Sequence, residues 1–336
     1  MATIRIFLLL GFLTSAAMAN ARDVSVTGDP SDDAGVDSSE ENTWTKALSV
    51  GFTGSYASSS NVVGAAEGTT TQFGIVLSGS ARCERGSHAW ENTLGIQHTQ
   101  TQTPVLDRFV KSADHLNLQS TYSYQLASTD QFGPFARLHM DTAVLPGYEV
   151  RTEDVTVRRI PVDGDPTVTL VPAEENIDLT GSLEPMVLKE TLGIYAKPVT
   201  GDKLTVDSKL GIGLQQIVTG DGYAMADDGG TPELELVGLE GASEAGAEFE
   251  VAMAGTPKAD VNWKASANFF LPVASSSERE FEGLDVLNTN ISGSLSVKLS
   301  DWASLDYVLT MKRIPLVLDE WQVHNGVMLT VGFDLL

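Results

Sequence analysis

The chain lacks most of what soluble enzymes and disulfide-stapled secreted scaffolds are built from. It has one cysteine, Cys83, in 336 residues, which rules out an internal disulfide. The slot of Cys83 among apolar residues predicts a packed thiol rather than a reactive one. Lysine and arginine total 21 against 45 aspartates and glutamates, a formal net charge of −24. That sign repels phosphate backbones, so nucleic acid is excluded as a partner. No apolar run reaches the roughly 18 to 20 residues that a transmembrane helix needs. There is no Gly-rich phosphate loop, no zinc spacing and no acyl-transfer elbow. The five histidines, His88, His98, His115, His139 and His324, come without a serine motif to complete a hydrolase site. The expectation is a protein that is not an enzyme and uses no cofactor.

What is present begins with an export pattern. Arg5, the short apolar run Ile6 to Leu13 and the small-x-small Ala17-Met18-Ala19 predict a secretory signal peptide over residues 1–19, with Ala19-Asn20-Ala21 as a second cleavage site. Residues 20–42, with Asp32-Asp33 and Glu40-Glu41, read as an acidic, flexible leader. From residue 43 to 336 the dominant signal is a period of two.

The last stretch shows it best. Trp321, Val323, Val327, Leu329, Val331, Phe333 and Leu335 alternate with Gln322, His324, Gly326, Thr330, Gly332 and Asp334, a strand with one apolar and one polar face. The same alternation recurs in Trp44 to Tyr56, Thr71 to Glu84, His88 to Thr101 and Leu116 to Leu126. Later strands are expected at Phe135 to Ala143, Met186 to Lys197, Leu204 to Ile217, Ala245 to Ala254, Ala259 to Leu271, Leu287 to Leu299 and Leu305 to Lys312. Tight turns, at Arg85-Gly86-Ser87 and Gly255-Thr256-Pro257-Lys258 among others, alternate with long segments such as Val144 to Pro185 and Val218 to Glu244. This sorting is the rule of outer-membrane barrels, with short periplasmic turns and long external loops. A soluble sandwich has no reason to follow it. The expected fold is therefore all-β, a transmembrane antiparallel up-and-down β-barrel of about 12 strands in the cell outer membrane. Trp44, Trp90, Tyr122, Tyr124, Trp263, Tyr307, Trp321 and Phe333 fall on its lipid face, several near strand ends as aromatic girdles require.

Some residues carry a resemblance. Trp90-x-Asn92, Lys111-Ser112-x-Asp114, Tyr122-Ser123-Tyr124 and Leu145-Pro146-Gly147-Tyr148 resemble a bacterial outer-membrane β-barrel family of unknown function found mainly in Bacteroidota-like genomes. That family is itself similar to putative salt-induced outer-membrane proteins. The resemblance covers Trp44 to Tyr148 and implies location and fold; it brings no catalytic residue.

The polar face of the strands supplies the candidate lumen charges. They are Arg82, Glu84, Glu91, Arg137, His139, Asp141, Lys189, Asp207, Lys209, Asp260 and Lys264, with Glu248, Glu250, Asp306 and Lys312 on the same parity. In a narrow barrel such charges either pair across the lumen or line a small pore. The two signs are similar in number, and the Arg and Lys excess of an anion-selective lumen is missing. The long loops are acidic. Carboxylates at that density suit divalent cations, yet Asp221 to Gly230 lacks the spacing of a calcium loop, so solvated, self-repelling loops are expected. Within the first of them, Val155-Thr156-Val157 and Thr167-Val168-Thr169 flank Asp163-Gly164-Asp165, a hairpin signal.

The leading expectation is a structural barrel or narrow passive channel. The alternative is surface recognition or divalent-cation binding through the external loops. Expected partners are outer-membrane lipid and lipopolysaccharide, and the barrel-assembly machinery through the C-terminal strand.

Overall fold

The computed structural model describes residues 43–59, 68–126, 131–201, 203–226, 231–276, 283–300, 302–315 and 318–334; the expected signal peptide and acidic leader lie outside them. Twelve long strands close into one ring: β1 (Thr43–Ser59), β2 (Gly68–Arg85), β3 (His88–Gln102), β4 (Val110–Tyr124), β5 (Phe132–Thr142), β10 (Met186–Gly201), β11 (Leu204–Val218), β14 (Ala242–Lys258), β15 (Val261–Ser275), β16 (Asn288–Ser300), β17 (Ala303–Ile314) and β18 (Leu318–Asp334). Every pair in the ring is antiparallel and each strand neighbours the next ring strand in the chain, an up-and-down barrel. The last strand closes it, β18 pairing with β1 from Ser49↔Asp334 to Gly54↔Leu329. These six residue pairs close the ring, which removes the free edges that an open sheet would leave.

One end of the ring carries the tight turns at residues 86–87 and 259–260, the other the two longest connections, 143–185 and 219–241. The sorting is not complete, since β17 ends at Ile314 and β18 begins at Leu318 at the long-loop end, while β4 ends at Tyr124 and β5 begins at Phe132 at the other. The turn expected at Gly255 to Lys258 falls at residues 259–260 instead, because β14 and β15 keep pairing to Lys258↔Val261 beyond a bulge. This moves Asp260 from the lumen face into the turn.

The period of two now has a spatial meaning. Trp44, Trp90, Tyr122, Tyr124, Tyr307 and Trp321 face outward and are exposed, as are Phe52, Ile75, Leu118, Leu138, Leu210, Leu214 and Phe249. Ile212 is 71% exposed and Leu192 62%. A water-soluble sheet does not leave such a continuous apolar surface bare. Trp44 and Trp90 meet edge to face near the short-turn end, with ring centroids 6.4 Å apart. Phe333 and His324 lie on β18 where side chains are not described.

The long connections do not behave as solvated, self-repelling loops. The expected hairpin forms, β7 (Val155–Ile160) pairing with β8 (Thr167–Val171) around Gly164, whose φ is +113°. The other long loop supplies β12 (Tyr223–Met225) and β13 (Leu234–Gly238), and β13 pairs with β7 in parallel, giving a four-stranded sheet. β6 (Gly147–Val150) and β9 (Asn176–Thr180) form a second, two-stranded sheet. Val157, Ile177, Leu179, Leu234 and Leu236 are buried together as a core. Alternating apolar residues in these short strands gave each an apolar face, and burying those faces overrides the repulsion among the carboxylates of the same loops.

Candidate functional site

The inward parity of the ring gathers polar side chains around a lumen cavity of about 460 Å³. On one wall the spacing of two along β14 stacks Glu248 and Glu250, and Arg137 of β5 reaches both, with Nη2 2.6 Å from Glu248 and Nη1 2.5 Å from Glu250. Lys189 of β10 adds a bond of 2.8 Å to Glu248, and Lys209 of β11 one of 3.0 Å to Glu250. Thr191 donates its hydroxyl to Glu248, and the Asn268 amide donates to Glu248 at 2.6 Å. Arg137, Lys189 and Glu248 are buried, so each charge depends on the others. Removing one member leaves an uncompensated charge, the costly way to break such a network.

Phe270 of β15 sits beneath this network and is fully buried. Its ring lies against Gly213, where a Cβ would come within 3.3 Å of the ring edge, and the Lys189 ammonium stands 4.7 Å from its centroid. A side chain larger than glycine at 213 would crowd the ring. Toward the long-loop end, Gln215 and Asn288 each donate to Glu244, at 2.9 and 3.1 Å.

A second group reaches across the lumen. The Lys312 ammonium is 3.8 Å from one oxygen of Asp141, His115 Nε2 is 3.5 Å from the other, and Asn117 pairs with His139 Nε2 at 3.4 Å. A third sits at the short-turn end, where Arg82 binds Glu84 at 2.5 Å and lies 3.7 Å from Glu91.

Six of the eleven residues expected in the lumen border the cavity. Glu91, Arg137, His139, Asp141, Lys189 and Lys264 line the cavity. Lys209 also lies 3.9 Å from Asp207, and Lys264 makes no ion pair among the described residues. Arg82, Glu84, Asp207 and Lys209 do not border it, and Asp260 is exposed in its turn, where its carbonyl accepts from Lys298 N at 2.8 Å. Sequence reading passed over Thr191, Asn268, Asn288 and Phe270. The parity they share with Lys189 and Lys264 was the available signal, and Phe270 hid because it is apolar on the polar face.

A separate polar group lies at the long-loop end on the outward parity of β4. Lys111 Nζ donates to the Leu145 and Pro146 carbonyls at 2.9 and 2.7 Å and to Asp114 at 3.1 Å. Leu145 N donates to Asp114 at 2.7 Å, and the Tyr148 hydroxyl accepts from Lys111 N at 3.1 Å. Two of the motifs that carry the resemblance thus form one clasp, which seats the start of the folded loops on the barrel wall. Arg108 adds bonds to the Glu174 carbonyl and Asn176 at 2.8 and 2.9 Å. Among the described residues no three His, Cys, Asp or Glu side chains gather as a metal-binding group.

Comparison with known proteins gives a family model and a set of folds. The model, described as a protein of unknown function (DUF3078), matches residues 60–148, the segment of β2 to β5 that holds the clasp. A search of the curated proteins finds no match. Among solved structures, an outer membrane channel from Pseudomonas putida F1 is similar over 90% of this chain and 99% of its own, at 10% identity and a TM-score of 0.36. The translocator domain of the autotransporter NalP from Neisseria meningitidis is similar over 88% and 90%, at 9% identity and a TM-score of 0.35. The β domain of the Bordetella autotransporter BrkA is similar over 86% and 97%, at 9% identity and a TM-score of 0.33.

Proposed function

We propose that the chain resides in the bacterial outer membrane as a narrow passive channel for small solutes. The observation that carries this reading is the pairing of an outward apolar surface with an inward polar face around a cavity of about 460 Å³ in a closed ring. Lipid accepts a β structure only when its strands pair with one another, and a closed ring supplies a neighbour on both sides of each strand. In this reading the signal peptide is removed after export, the short turns lie in the periplasm, and the folded loops meet lipopolysaccharide outside. The C-terminal strand addresses the barrel-assembly machinery. The family model that matches residues 60–148 describes a protein of unknown function and names no solute.

The test is conductance of the refolded protein in planar bilayers, alongside a form lacking residues 22–42. Reproducible steps in the full chain support the channel; steps only after deletion make the leader its plug. Silence in both forms overturns it.

A further inference from the structure

Among the described residues that border the cavity, the charges of lysine, arginine, aspartate and glutamate cancel. Arg137, Lys189, Lys264 and Lys312 border the cavity against Glu91, Asp141, Glu248 and Glu250, four of each sign. Most are already engaged with one another, through Arg137 and Lys189 on Glu248, Arg137 on Glu250, and Lys312 near Asp141. Between them much of the lining is hydroxyl and amide, with Ser78, Thr93, Asn117, Gln119, Ser266 and Asn290 as examples; His115 and His139 add imidazoles, and no Phe, Tyr or Trp borders the cavity among the described residues.

This lining treats solutes unequally. An ion entering a narrow lumen gives up hydration, and a wall whose charges are already compensated does not return it. An uncharged polyol exchanges water hydrogen bonds for hydroxyl and amide bonds at small net cost. Apolar solutes meet only scattered greasy contacts, at Leu94, Val187 and Ile314. The cavity volume falls within the range of small-molecule sites, about 300–1,000 Å³.

One contact bears on width. Five strands separate β17 from β5 in either direction around the ring, so these strands face each other across it. Lys312, two residues from the end of β17, nonetheless lies 3.8 Å from Asp141, next to the end of β5. The pair therefore spans the lumen at the long-loop end. Its separation exceeds the roughly 2.7–2.9 Å of a charge-assisted hydrogen bond, so it parts more easily than the tight network below it.

We propose that the lumen is a filter for small uncharged hydroxyl-bearing solutes, polyols and monosaccharides, and that the Lys312 and Asp141 pair sets its width. This rests on the channel reading. The experiment uses the refolded full chain in liposomes, its folded state checked by migration on gels before and after heating. Swelling is followed in isotonic erythritol, glucose, sucrose and potassium chloride. Erythritol and glucose are expected to enter, potassium chloride about ten-fold more slowly, and sucrose poorly. The double variant Lys312→Ala, Asp141→Ala is expected to admit sucrose several-fold faster while potassium chloride stays slow. The near-isosteric double variant Lys312→Gln, Asp141→Asn, which keeps the bulk across the lumen, is expected to admit sucrose more slowly than the alanine variant. Potassium chloride entering as fast as glucose overturns the solute class and leaves the channel standing. A folded alanine variant no faster in sucrose than its parent overturns the role of the pair. Folded protein that admits nothing in any solution overturns the channel reading itself.

Discussion

The barrel wall and the folded loops are built from strands of the same alternation, and they read it with opposite sign. In β10, β11 and β14 the apolar residues Leu192, Ile212 and Phe249 face out, while Lys189, Gln215 and Glu248 face in. In the loop sheets Val157, Ile177 and Leu236 face in, while Val168 and Leu170 on edge strand β8 and the half-exposed Arg158 lie on the surface. A period of two states that a strand has two faces; it does not state which medium each will meet. That is decided by closure. A ring of twelve strands encloses a space too large to fill with hydrocarbon side chains and leaves its outside for lipid. Short strands folded on one another have only each other to bury against. The charges differ accordingly: Arg137 lies in a buried network, whereas the Arg158 pair with Glu235 at 3.1 Å is partly exposed.

The sharpest way to separate the two regions is to remove one charge from each. Glu248→Leu strands Arg137 and Lys189 without their shared carboxylate and is expected to cost about 3–5 kcal/mol, read as a lower urea midpoint for the barrel in lipid vesicles. Arg158→Ala removes a surface pair and is expected to cost less than about 1 kcal/mol; equal effects would erase the distinction. Next in size is the loop core. Leu236→Ala is expected to cost the loop sheet about 2–5 kcal/mol. The loops then become open to trypsin at Arg158 and Arg159 while gel migration of the barrel is unchanged, and a barrel that melts with them would show the two are one cooperative unit. The outward face follows. Ile212→Arg is expected to cost about 2–4 kcal/mol in a bilayer, and no change there would place this surface outside lipid.

The barrel was legible because its signal is repeated twelve times and sorted by loop length, so a misplaced boundary such as the turn at 259–260 cost one residue, Asp260, and not the topology. Lumen parity was equally legible for Arg137, Lys189 and Lys264. What could not be read was partnership. That Arg137 meets Glu248 and Glu250, or that Lys312 meets Asp141, follows from shear and ring order, which alternation within a strand does not encode. The loops failed for a different reason. Their carboxylates dominated the composition, and the few apolar positions that decide the fold, such as Val157 and Leu234, lie 77 residues apart in two different loops and pair in parallel, which no local pattern encodes.

The smallest expected effect lies within the loop sheets and tests whether their acidity is tolerated or exploited. Glu149 on β6 is held above the usual carboxylate range by burial, an effect that Arg151, 3.3 Å away, opposes without cancelling. The folded loops therefore bind a proton at Glu149 more tightly than the unfolded segment does. The sign follows from that difference: the stabilisation is fully present below the ordinary glutamate value and is lost as pH rises through the raised one. Protection of the loop amides from hydrogen exchange, corrected for the intrinsic rate, is thus expected to weaken modestly from mildly acidic to neutral pH, and Glu149→Gln to flatten that dependence. Arg151→Ala removes the opposing charge and is expected to steepen it. A profile that strengthens with pH, or one that Glu149→Gln leaves untouched, would show that the loop core carries its ionised carboxylates without strain.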